Sequence, residues 1–168
     1  MIRTIKSTKT VSEMLARRDR LNFSVKAFSV FETKKNFDTL RSMPRIMIAD
    51  DRESMRSALR SLLVLRPGWI VCGEAETAKE AITKATELRP DLIVLDYKLQ
   101  TSDGITAADG ILRAMPAVPI VMFTLYKTDE LELAANQIGI RCVVGKEDGI
   151  ESLLCAIDSE LNSSLGKF

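Results

Sequence analysis

Histidine is missing from all 168 residues. That absence removes a Ser-His-Asp or Cys-His nucleophile, an imidazole acid or base and a zinc finger, leaving carboxylates, hydroxyls and lysines to carry any chemistry. Cysteine is scarce. Cys72, Cys142 and Cys155 stand apart, without CxxC spacing and in apolar sequence surroundings, so they read as structural. Any metal held here must therefore take oxygen ligands and be a hard ion. Long hydrophobic runs are lacking too: LIVL at 92–95 and IVMF at 120–123 fall far short of the roughly 20 apolar residues that cross a bilayer. The basic opening MIRTIKSTKT has no apolar core or small-residue cleavage site behind it, so it does not read as a secretory signal, and a cytoplasmic protein is expected.

What is present is sufficient for a core. A hydrophobic content of 46% in a chain of this length fits one ordinary domain with an appended arm. Charge divides the chain near Pro44: residues 1–44 carry ten Lys or Arg against four acids, and the remainder is acidic by five charges. The arm holds a candidate helix, VSEMLARRDRL at 11–21, and an apolar patch, FSVKAFSVF at 23–31. It reads as a loosely ordered basic extension rather than a specific nucleic-acid or partner arm.

From Pro44 onward, short apolar runs alternate with segments of helical period, the signature of βαβ units and a parallel sheet. The expected strands are RIMIA (45–49), WIVCGEA (69–75), LIVL (92–95), PIVMF (119–123) and CVVG (142–145). The first helix, RESMRSALRSLLVL, presents Met55, Leu59, Leu62 and Leu63 on one face and stops at Arg66-Pro67-Gly68. The second, TAKEAITKATELR, turns Ala78, Ala81, Ile82, Ala85 and Leu88 inward. A third near 106–115 is weakened by Gly110, the fourth is DELELAANQI, and the last is GIESLLCAIDSEL. Right-handed crossovers reduce five such units to a doubly wound open sheet, with 2-1-3-4-5 as a candidate order.

In such sheets the working crevice lies beyond the carboxyl ends of the strands, at the point where strand order reverses. Strand one ends in Asp50-Asp51, strand three in Asp96, strand four in Thr124 and strand five in Gly145-Lys146; Glu74-Ala75, ending strand two, adds little. Two adjacent carboxylates about 4 Å apart repel by roughly 4 kcal/mol at an effective dielectric near 20, so the acids need a cation, a hydrogen-bonding role or good solvation. Magnesium uses one or two carboxylates and accepts phosphate oxygens, so an acid triad beside a lysine reads as a phosphoryl-transfer site. Each residue alone has a duller explanation. Asp50-x-x-Glu53 has capping-box spacing, Asp96 and Asp103-Gly104 suit turns, a Thr124 hydroxyl would satisfy a loop amide, and Lys146 would be a solvated charge. Their joint arrival at the ends of strands one, three, four and five favours a site.

These residues resemble the receiver domains of two-component response regulators, over about 45–161, with 162–168 left as a tail. Asp50-Asp51 resembles the family's metal-binding acids, and Asp96 in DLIVLDYKLQTSDG resembles its phosphorylated aspartate. Thr124 and Lys146 complete the set, and GIRCVVGKEDGIESLLCAI is similar to the closing strand and helix of members often joined to helix-turn-helix output domains. The sequence continues into no such module, so DNA binding in cis is not expected.

The resemblance implies a flavodoxin-like fold and a switch rather than turnover chemistry. Asp96 would take a phosphoryl group from a histidine kinase, a phosphotransfer protein or a small acyl phosphate. Mg2+ would be held by Asp51, Asp96 and the backbone carbonyl of Lys98, with Asp50 acting through water. Lys146 would pair with a phosphate oxygen and Thr124 would turn toward it. Output would pass to a downstream protein, with homodimerisation left open.

Departures from the family pattern fall on the switch. Val143 stands where an aromatic residue is common, Leu125 where a small one is usual, and Gln100 and Glu147 where proline is frequent. Lys98 and Tyr126, two positions past Asp96 and Thr124, resemble the family's positions that tune phosphoryl loss, and the ring at 126 would then imply a persistent phosphoform. The competing expectation is a phosphate-independent pseudo-receiver. A dehalogenase-type phosphatase would want Asp-x-Asp in place of Asp96-Tyr97-Lys98, and a dinucleotide site would want a glycine-rich first loop where ADDRES stands.

Overall fold

The computed structural model describes residues 43–100 and 102–165. The arm's candidate helix and apolar patch lie outside the described residues. Backbone contacts separate Met1–Ser42 from Met43–Phe168, and the described residues all belong to the second unit.

Five strands, β1 (Arg45–Ala49), β2 (Ile70–Ala75), β3 (Leu92–Leu95), β4 (Ile120–Thr124) and β5 (Cys142–Gly145), alternate with five helices, α1 (Glu53–Leu63), α2 (Ala78–Leu88), α3 (Gly104–Ala114), α4 (Asp129–Ile138) and α5 (Ile150–Leu165). The sheet is parallel throughout, in the order β2-β1-β3-β4-β5. Order and fold class are those expected from the sequence. The inner strands lack polar alternation because both of their faces are covered. Met47, Ala49, Ile93, Leu95 and Met122 point to a core closed by α2, α3 and α4. Ile46, Ile48, Val94, Val121 and Phe123 point to a second core closed by α1 and α5. Side chains alternate along each strand, so two helical layers clamp one sheet.

The helices begin on polar caps. Thr77, Asp103 and Thr128 each accept a hydrogen bond from a first-turn amide of α2, α3 and α4. For α1 the capping-box expectation fails: Arg52 is the N-cap, no side chain caps it, and Asp50 lies outside the helix. Gly110 does not break α3. A Cβ there would run into Cδ1 of Ile82, so the glycine lets α2 and α3 approach closely. The last helix extends past Leu161 to Leu165. Cys155 is exposed on α5, contrary to the apolar surroundings expected from its neighbours in sequence, while Cys72 and Cys142 are partly buried.

Candidate functional site

The ladder itself places the acids. The Asp50 amide donates to the Ala75 carbonyl at 3.1 Å, and the Asp96 amide donates to the Ala49 carbonyl at 2.7 Å. These contacts fix the two residues at the carboxyl ends of neighbouring β1 and β3, where the order reverses. Asp50, Asp96 and Thr124 are the buried polar or charged residues among the described residues, and all three lie at this rim. Buried polar groups need partners. Lys146, in a short 3-10 turn after β5, donates from Nζ to Oδ2 of Asp50 and to Oδ2 of Asp96, at 2.6 Å in each case. Its side chain is 4% exposed, so the pairing is shielded from water. The ammonium also lies 5.7 Å from the centre of the Phe123 ring.

Asp51 is partly exposed, and one oxygen of each of Asp50, Asp51 and Asp96 lies within 4.8 Å of the others. The donor set is all oxygen, and three carboxylates outnumber the single buried ammonium, a composition that fits a hard divalent cation. Burial pushes the Asp50 carboxyl above its usual range, against hydrogen bonds from Lys146 and the Arg52 amide that pull the other way.

Thr124 accepts a hydrogen bond at Oγ1 from the Tyr126 amide at 3.1 Å, the loop-amide role its position suggested, while remaining fully buried at the end of β4. Leu125 and Tyr126 are each about half exposed, at 50% and 51%. The Tyr126 ring meets Tyr97 edge-on, with centroids 6.2 Å apart. Lys98 donates its amide to Asp96 Oδ1 at 3.4 Å and bridges to Asp103, which closes the loop after β3. Val143 is packed, partly buried, against the α2–α4 core. The turn carrying Lys146 is pinned by Asp148, which accepts from the Gly145 amide and from Lys127 Nζ, each at 2.9 Å. Pairing with Lys127 holds the Asp148 carboxyl below its ordinary range and lifts the Lys127 ammonium above its own.

Sequence reasoning missed the arginines. Arg56 donates from Nη1 to the Asp50 carbonyl at 2.9 Å, and its Nε lies 3.4 Å from Glu74. Arg60 donates to the same glutamate at 2.6 Å. Glu74, expected to add little, thus ties α1 to the end of β2. The i, i+4 spacing of Arg52, Arg56 and Arg60 was the available signal.

A parallel 2-1-3-4-5 sheet with an acidic, lysine-closed switch point defines a flavodoxin-like α/β domain of the receiver type. The chain belongs to the response regulator receiver domain family, whose sequence profile matches residues 46–158. It is 38% identical over 109 residues to a protein-glutamate methylesterase/protein-glutamine glutaminase of Methanosarcina mazei, covering 64% of this chain and 30% of that one. It is 31% identical over 115 residues to the transcriptional regulatory protein LnrK of Bacillus subtilis, covering 68% of this chain and 52% of that one. The chain thus spans between 30% and 52% of the length of these curated relatives. A LuxR-family two-component response regulator from an Aurantimonas strain superposes with a TM-score of 0.69 at 33% identity, over 71% of this chain and 86% of that one. Two-component signalling is therefore its setting. The described residues form the receiver and include no helix-turn-helix module, and no helix among them is long and apolar enough to cross a membrane.

Proposed function

We propose that the domain is a phosphoacceptor switch in which Asp96 is the residue modified. The observation carrying this reading is the double hydrogen bond from Lys146 to Asp50 and Asp96, with Asp51 close by. An Asp96 oxygen forms a bond to the phosphorus of a phosphohistidine or acyl phosphate as the bond to the leaving imidazole or carboxylate breaks, and the bonding pair departs with that group. Asp51, Asp96 and the Lys98 carbonyl, with Asp50 acting through water, would hold Mg2+, which would neutralise charge on the phosphoryl oxygens when bound. Lys146 exchanges its carboxylate partner on Asp96 for a phosphoryl oxygen. Thr124 gives up the Tyr126 amide as its hydroxyl turns inward, so the half-exposed loop at 125–126 is the first surface to change. Output passes through protein contacts in the cytoplasm, to a downstream protein or a second copy of the chain, and the domain turns over no substrate beyond its own phosphoryl group.

Incubating the full chain with Mg2+ and acetyl phosphate or phosphoramidate and weighing it intact is expected to give one phosphoryl adduct, absent in Asp96→Asn and in excess EDTA. A chain that takes up no phosphoryl group from these donors or from any histidine kinase is a pseudo-receiver. The packed Val143, which has no ring to swing, is the observation on that side.

The ring of Tyr126, braced by Tyr97 beside the acceptor loop, should slow attack of water on the phosphoform. The adduct is expected to outlast a purification of minutes, and Tyr126→Ala to shorten its life about threefold, equivalent to roughly 0.65 kcal/mol in barrier. A lifetime of seconds, or one that Tyr126→Ala leaves unchanged, would remove the ring from this role.

A further inference from the structure

Three arginines, the N-cap Arg52 and the α1 residues Arg56 and Arg60, line the acidic side of the β1 and β2 ends, and two are already committed. Arg56 is divided between the Asp50 carbonyl, Glu74 and Glu76, and Arg60 bonds Glu74. Arg52 differs. Its amide donates to Asp50 Oδ1 at 2.9 Å, but its guanidinium lies 3.8 Å from that oxygen and its side chain is 46% exposed. At that separation the contact is an ion pair, not a hydrogen bond, so the five donors of the fork remain available at the mouth of the pocket.

Charge says what they would meet. Asp50, Asp51 and Asp96 against Lys146 leave the pocket at minus two, and a divalent cation brings it to zero. Converting the Asp96 carboxylate to an acyl phosphate replaces one negative charge by nearly two, so the phosphoform is left near minus one. One further cation at the rim restores neutrality, and a planar guanidinium suits phosphoryl oxygens.

We infer that Arg52 is a phosphodonor-binding residue: its guanidinium moves from Asp50 to the incoming phosphoryl oxygens and remains with the acyl phosphate. This rests on the phosphoacceptor reading above and adds a ligand to it. The same residue opposes metal binding before the donor arrives, because its positive charge stands beside a carboxylate of the metal site. Loss of Arg52 therefore drives two quantities in opposite directions, which a merely structural role would not do.

The test compares the full chain with Arg52→Gln and Arg52→Lys, using calorimetry for the Mg2+ dissociation constant and intact mass for initial adduct formation from phosphoramidate at saturating Mg2+. For Arg52→Gln we expect Mg2+ to bind about twofold to fivefold tighter while adduct forms about tenfold more slowly, equivalent to about 1.4 kcal/mol. Arg52→Lys should restore part of the rate. An Arg52→Gln rate within twofold of the parent, or a slower rate accompanied by weaker Mg2+ binding, overturns the inference and leaves the phosphoacceptor reading standing. A parent chain that forms no adduct overturns both.

Discussion

Lys146→Met is expected to cost about 3 kcal/mol of folding stability at pH 7 without divalent ions. The substitution keeps an unbranched side chain over Phe123 and removes the ammonium charge with its two hydrogen bonds. Two nearly buried carboxylates then face each other with no ammonium between them. Breaking a buried pair by removing one partner typically costs about 3–5 kcal/mol, because the remaining charge is left uncompensated. The pH dependence has a definite sign. Burial already raises the folded Asp50 pKa above its ordinary 3.8, so the ionised carboxyl opposes folding above that range and ceases to do so once protonated in both states. Without Lys146 this penalty grows, so the gap between parent and variant should be widest at neutral pH and narrow as pH falls toward 4. Mg2+ should narrow it as well. Denaturant melts at pH 7 and pH 5, with EDTA and with Mg2+, check all of this. A loss below 1 kcal/mol at pH 7, or one that widens on acidification, would refute the electrostatic account.

Gly104→Ala should be nearly as damaging, for a steric reason. A Cβ on Gly104 would fall on the Asp96 carbonyl oxygen and within 2.9 Å of the Tyr97 Cα, both backbone atoms. The Gly104 amide meanwhile donates to the Tyr97 carbonyl at 2.5 Å, so the start of α3 is held against the loop that presents Asp96. Neither side can yield without moving the other. Overpacking of this kind costs about 1–3 kcal/mol, and backbone obstruction puts this case at the upper end. Adduct formation on Asp96 should fall together with stability. Gly110→Ala is the control: its Cβ meets the end of the Ile82 side chain, which can rotate, and the helix gains from alanine. Its net change should stay within about 1 kcal/mol. Equal losses at the two glycines would dispose of the backbone argument.

The inner strands could be read directly from sequence because Ile46–Ala49, Leu92–Leu95 and Ile120–Phe123 are apolar throughout and buried on both faces. Helix ends were harder. The beginning of α3 at Gly104 has low helix propensity and is set by the Asp103 cap and the contact with Tyr97, which a periodicity search does not see. α5 runs on through the polar Asn162-Ser163-Ser164 to Leu165, where there is no apolar stripe to follow. The gathering of Asp50, Asp51, Asp96 and Lys146 followed from strand-end geometry, since short strands in a known order leave their last residues little freedom of place. The parts of Arg52, Arg56 and Glu74 did not follow, because a long flexible side chain has many partners within reach and only coordinates choose among them. Cys155 shows the opposite error: its neighbours Leu154 and Ala156 suggested burial, but it falls off the stripe of Leu153, Leu154, Ile157 and Leu161 that faces the sheet.

Placing the neutralising ammonium on the fifth strand also bears on how the molecule is made. A nascent chain that has delivered its first four strands has both carboxylate-bearing tips but not their counterion. Arrival of residues 142–161 therefore eases a standing repulsion as Leu153 and Ile157 leave water, so closing the fold and partly offsetting its internal charge are coupled.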